Sequence, residues 1–216
     1  MLSKFKFIAK SFTTKERLCF FGAVFVFAVA LIARTSLAIE ENSILVPVMG
    51  GAYVEGVVGQ PIAINPLISQ NPADRDLSKL LYNNLFALSN SVEKNQNGRL
   101  YTIKLKENLK WSDNHPLTSD DVVFTLRTIQ NPETKSPLFK SWQGVIAERV
   151  SELQINLNLS APYSFFNESL KNLPILPKHI FGNIPESNLG LSAYNLEPVS
   201  SGPYRFKKLV LRKDGF

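Results

Sequence analysis

A chain of 216 residues can bury one sizeable core or a small two-lobed body, and its 44% hydrophobic and 19% charged content is that of a folded protein. The net charge of +6 does not mark a nucleic-acid binder: Lys4, Lys6, Lys10, Lys15 and Arg17 against Glu16 put +4 before residue 18, Arg34 adds one, and residues 35–216 keep only +1. The lone Cys19 excludes an intrachain disulfide framework, and Glu16-Arg17-Leu18 before it lacks the apolar and small residues of a lipid-modified cysteine.

Residues 1–17 form a cationic leader. Leu18 to Ala33 are sixteen uncharged, mostly apolar residues. As a helix they reach about 24 Å, short of the ~30 Å bilayer core; continued to Ile39 they reach about 33 Å, provided Arg34 snorkels to the interface. The sequence therefore predicts a transmembrane anchor over 18–39, with the leader cytoplasmic and the body outside. Ser36-Leu37-Ala38 also fits a small-x-small cleavage site, which would release a secreted or periplasmic body near Ala38. The long leader and long apolar run favour the anchor.

Ile44–Val48 and Gly50–Val58 are β-branched and punctuated by Pro and Gly, as in a short strand entering a loop. No Lys-Ser or Lys-Thr follows the glycines, so a nucleotide P-loop is not supported. From Asp74 to Phe86 the pattern is helical, with Leu77, Leu80, Leu81, Leu85 and Leu88 on one stripe. Ser89 to Gly98 is polar and reads as loop. Tyr101, Ile103 and Leu105 alternate with Thr102, Lys104 and Lys106 in a half-buried strand. Trp111 anchors the next segment, and Asp113-Asn114 is a turn pair. Thr118 is placed to cap a helix over 119–130, with Asp121 as its reciprocal partner and Asp120-Asp121 at the positive end of the dipole. Asn131-Pro132 ends it. Leu153, Ile155, Leu157 and Leu159 alternate in a second half-buried strand, and Pro162–Phe166 opens a short helix. Tyr204–Leu211 reads as a strand and Lys213-Asp214-Gly215 as a hairpin turn whose return strand is missing, so the chain is expected to be the N-terminal part of a longer one.

Little here suggests catalysis or metal binding. His115 and His179 lie beside no Cys and share no helical spacing, so each is read as a surface or packing residue. Asp120 and Asp121, about 100° apart on a helix, do not converge on one atom. No Ser stands in a Gly-x-Ser-x-Gly elbow.

The ordered set Trp111, Asp113, Pro116, Leu117, Thr118, Asp121, Val122 and Phe124 resembles the Leu-x-Trp-x-Asp-Gly-x-Pro-Leu-Thr-Ala-x-Asp-Val-x-Phe segment of the family 5 extracellular solute-binding proteins, the peptide receptors of ABC importers. Asn114 stands where that pattern has Gly, and Ser119 where it has Ala. Leu173–Phe181 and Ser201-Gly202-Pro203-Tyr204 are similar to two further segments, so the likeness runs from about Gly50 to the C-terminus. A hairpin or linker usual between the 74–86 helix and the 101–105 strand is expected to be missing.

The resemblance implies an α/β, type II periplasmic-binding-protein-like lobe, incomplete, with an accessory α+β subdomain and the N-terminal transmembrane helix. It assigns 45–75 and 198–216 to the first lobe, 76–197 to the accessory subdomain, and leaves the second lobe absent. It implies a peptide ligand held between lobes, ABC permease subunits as partners, attachment to the membrane, and no cofactor. Glu55, Gly56 and Val57, in the loop after the opening strand, are its candidate ligand contacts; Trp142 and Phe139 are placed near the cleft, although a core role is the more ordinary one for such aromatics. Which solute is bound stays open, since the family also has receptors for nickel and sugars. Two other classes stay open: a membrane-anchored scaffold reusing the lobe without transport, and an extracytoplasmic enzyme, for which the sequence supplies no convergent groups.

Overall fold

The computed structural model describes residues 13–42, 54–69 and 71–210. The chain divides into two compact units, 1–55 and 56–216.

The first unit holds helix α1, Thr14–Asn42. Glu16 folds back on Thr13, its Oε2 accepting the backbone N–H and the hydroxyl at 2.8 Å each. From Thr14 to Ile39 the helix is long and apolar enough to cross a membrane, and its apolar side chains are exposed. Those 26 residues span about 39 Å, more than the ~30 Å hydrocarbon core. The Ser36-Leu37-Ala38 segment lies inside this helix.

The second unit is built on a four-stranded antiparallel sheet with one face packed on helices. Its strands are β1 (Ser89–Lys94), β2 (Leu100–Leu105), β3 (Ile146–Ser151) and β4 (Gln154–Asn158), in the order β1-β2-β4-β3. The two central strands carry the alternation read from the sequence: Tyr101, Ile103, Leu105, Ile155 and Leu157 are buried. The edge strands were not foreseen. Residues 89–98 form β1 and a turn closed by Gly98 at φ +65°, so the segment read as loop is the first arm of a hairpin with β2. Neither β1 nor β3 has a fully buried residue, as befits edge strands with one pairing partner each.

Helix α2 (Pro72–Leu81) and the short α3 (Leu85–Leu88) replace the single helix expected over 74–86. The break is tertiary in origin. Tyr82 is extended, and the Asn83 N–H and side-chain amide bond Ser201 Oγ and O at 3.1 and 2.6 Å. The Asn83 carbonyl accepts from Ile175, Leu85 donates to the Leu173 carbonyl, and Asn84 caps α3. Leu80, assigned to the stripe, is consequently exposed, while Leu81, Leu85 and Leu88 are buried.

Helix α4 (Ser119–Gln130) has the expected bounds and capping box: Asp120 N–H donates to Thr118 Oγ1 at 3.3 Å, and Thr118 N–H to Asp121 Oδ2 at 2.9 Å. Short helices α5 (Phe139–Trp142), α6 (Phe166–Lys171) and α7 (Lys178–Phe181) follow. The core joins Trp111, Leu117, Leu126, Ile129, Trp142, Phe166, Leu173, Ile175 and Leu176 to the sheet.

Two straps close the unit. Residues 61–69 hang on the start of α2, where the buried Asp74 carboxylate accepts the N–H groups of Ile62 and Ala63 at 2.9 and 3.0 Å. Residues 200–204 cover its end, with Ser201 and Gly202 donating to the Leu81 carbonyl at 3.0 and 2.8 Å. The strand expected over 204–211 is not formed at residues 204–210, which have no ladder partner among the described residues; residues 211–216, with the expected turn, lie outside them. Of the expected opening strand, residues 54–58 are irregular and the remainder lies outside the described residues.

Candidate functional site

Glu55, Gly56 and Val57 follow one another in irregular, exposed backbone. A side chain at position 56 would meet nothing within 4 Å, so the backbone is open to a neighbour. Trp142 is placed differently. It is 1% exposed, its ring meets Phe166 edge-on at 5.5 Å, and its carbonyl accepts the Gln130 amide at 2.7 Å. The ligand role assigned to Trp142 is therefore corrected to a core role: an enclosed ring offers no face to a ligand. Phe139 is half-buried at the start of α5.

Within the second unit, an open groove of 620 Å³ runs along the 61–69 strap. Its lining includes Ile62, Ala63, Asn71, Glu133, Lys135 and Glu186. Its size falls in the range of small-molecule sites, and its rim carries both charge signs. The strap is stiffened from beneath by buried amides. Asn65 Nδ2 donates to Asn195 Oδ1 at 3.2 Å, Asn195 Nδ2 to the Leu189 carbonyl at 2.7 Å, and Ile64 N–H to the Asn195 carbonyl at 2.8 Å. Ser136 Oγ donates to the Leu67 carbonyl at 2.7 Å. Three of these four bonds join segments distant in sequence, and none comes from a regular strand.

The Trp111–Phe124 stretch does not line that groove. Its turn closes through Trp111 N–H to the His115 carbonyl at 2.9 Å, with Asn114 at φ +71°. Asp121 joins it to the 173–181 segment: Oδ1 accepts the Lys178 N–H at 2.9 Å while Oδ2 holds the cap. Burial pushes the Asp121 carboxyl up, and the N–H groups of Thr118 and Lys178, the Trp111 indole and the charge of His179 pull against it.

The same junction gathers three groups that sequence spacing kept apart. His179 Nε2 lies 2.7 Å and His115 Nδ1 3.2 Å from Asp113 Oδ2, and the two imidazoles stack at 4.2 Å with 17° between planes. Burial acts to raise the Asp113 pKa, but the His179 contact, the His115 N–H and both imidazole charges outweigh it and hold the carboxyl below its ordinary value. No spacing rule signals a pair 64 residues apart in sequence; the only hint was that each histidine sits inside a segment whose order was recognisable.

Comparison with known proteins gives a consistent set. Residues 86–213 match the model of the bacterial extracellular solute-binding proteins, family 5. The chain is 29% identical over 211 residues to the oligopeptide-binding protein AppA of Bacillus subtilis, covering 90% of this chain and 39% of that one. The solved structure of AppA in complex with a nonapeptide superposes with a TM-score of 0.65 at 30% identity, over 71% of this chain and 33% of that one. The ABC transporter substrate-binding protein CtaP of Listeria monocytogenes gives the same TM-score of 0.65, identity of 30% and coverage of 71% and 33%. The chain thus spans about two fifths of the length of the relative and one third of each solved chain.

Proposed function

Because this chain belongs to family 5 of the bacterial extracellular solute-binding proteins, we propose that it serves as the extracytoplasmic substrate-binding component of a peptide ABC importer. The observation that carries this reading is the shared fold and 30% identity with a receptor solved around a nonapeptide. Peptide as the solute, and ABC permease subunits as partners, come to this chain from that likeness.

The peptide is proposed to run along Glu55, Gly56 and Val57. That segment is exposed and has no ladder partner among the described residues, with open space above Gly56, which suits addition of an extended strand. Helix α1 is proposed to tether the body to the outer face of the cytoplasmic membrane, since the basic residues of the leader lie before it and in its first turn and the chain after Arg34 is close to neutral. Residues 45–75 and 198–216 are proposed as first-lobe segments and 76–197 as the accessory subdomain.

A cleft closed from two sides needs surface on both, and this chain spans a third of the solved relatives. Residues 40–216 alone are therefore expected to bind peptides weakly or not at all; calorimetry against a peptide mixture that gave tight saturable binding would overturn that expectation. The role itself is tested in the cell of origin. Disrupting the reading frame should lower uptake of a labelled oligopeptide pool, with recovery when the undisrupted reading frame is supplied in trans. Unchanged uptake would contradict a role in peptide import.

A further inference from the structure

We infer that Asp113, His115 and His179 form a binding site for a divalent first-row transition ion such as Zn²⁺, at the junction of the Trp111–Pro116 turn and α7. The ligand atoms of the three residues lie within 4.8 Å of one another. Two imidazoles and a carboxylate are a donor set such ions take readily, leaving a fourth position for water or another ligand.

The spacing is close to what coordination needs. With bonds near 2.0–2.1 Å, two ligands of a tetrahedral ion sit about 3.3 Å apart. His115 Nδ1 is 3.2 Å and His179 Nε2 2.7 Å from Asp113 Oδ2. An ion entering between them replaces a hydrogen-bonded contact with a slightly wider one.

The ligands are also held from behind. Asp113 Oδ1 accepts the His115 backbone N–H at 3.1 Å, which leaves Oδ2 as the coordinating oxygen. The left-handed conformation of Asn114, φ +71°, folds positions 113 and 115 onto one side of the turn. His179 is fixed on its segment by the Lys178 N–H to Asp121 bond and packs beside the Trp111 ring, 6.3 Å between centroids. Such outer contacts set the orientation of metal ligands.

One rearrangement is required. Stacked rings point their nitrogen lone pairs along parallel planes, and a shared ion needs them splayed. His115 supplies that motion, because its side chain is 59% exposed and can turn without opening the core. The ion would then cross-link the turn to α7, a contact made at present by the Asp113–His179 pair and by ring packing.

The test uses the untagged full-length chain in detergent micelles, titrated with Zn²⁺ in a non-chelating buffer. One ion per chain is expected, with Mg²⁺ unable to compete. His115→Asn and His179→Gln should each weaken binding by more than about tenfold, the scale on which even outer partners matter. Zn²⁺ should raise the melting temperature of the parent chain and leave that of His179→Gln unchanged. His115→Asn alters an exposed side chain, so its loss of affinity cannot be ascribed to unfolding, and circular dichroism checks this. Absence of saturable uptake would overturn the site in favour of a cluster that only shares protons. Uptake surviving both substitutions would overturn it in favour of another location.

Discussion

At Thr118 a hydroxyl and a carboxylate three residues on satisfy N–H groups that a helix start leaves without partners. Thr118→Ala should therefore cost about 1 kcal/mol of unfolding free energy, and Asp121→Ala more, because Asp121 also accepts the Lys178 N–H. Urea titration of both variants reads the difference; equal losses would mean the link to residue 178 contributes nothing. Asn114 makes a second test at this scale. Its φ of +71° is one that Gly adopts freely and a β-branched residue does not. Asn114→Gly should leave stability within about 0.5 kcal/mol of the parent, whereas Asn114→Val should lose more than about 1 kcal/mol. Both residues were legible in the sequence because caps and turns are local chemistry. The Asp113, His115 and His179 cluster was not, since the third member arrives through the fold, held there by Asp121 and Trp111.

Among the elements, legibility follows how much of the pattern is local. The strands with strict alternation, β2 and β4, and helix α4 with its cap and its Asn131-Pro132 stop have close to the bounds read from the sequence. The helix expected over 74–86 breaks at 82–84 because Asn83 and Leu85 find backbone partners at Ser201 and Leu173, which no leucine periodicity reports. Edge strands β1 and β3 escape the same rule, having too few buried positions to alternate. The 200–204 strap offers a sharp test. A Cβ at Gly202 would lie 2.6 Å from the Leu80 carbonyl oxygen and 2.8 Å from the Leu81 carbonyl, backbone atoms that cannot yield. Gly202→Ala should cost about 1–3 kcal/mol and speed amide exchange at Ser201 and Gly202, whose N–H groups bond Leu81. Protection left as in the parent chain would show that the strap is not held by this contact.

For the whole molecule the sequence told family and address more readily than ligand. The motifs that carry the resemblance surround the Trp111 turn and α4, which organise the second unit, whereas the proposed contacts at Glu55, Gly56 and Val57 carry no motif chemistry of their own. Trp142 illustrates the limit: an aromatic in a cleft and one in a core look alike in sequence, and this one is in the core. Helix α1 makes a prediction at this scale. If it is a tether, the chain stays in the membrane fraction under alkaline carbonate extraction and its N-terminal sequence begins in the leader; a start at Ile39 would mean a cleaved signal. The account turns, however, on contact with peptide. The most direct measurement replaces Val57 with a photo-cross-linking amino acid in the receptor expressed from its natural reading frame, in intact cells given a labelled oligopeptide pool, with the exposed Val150 of β3 as control. Label should transfer at position 57, disappear under excess unlabelled peptide, and be absent at position 150. No transfer at 57, or equal transfer at both positions, would contradict a peptide-binding role for this chain.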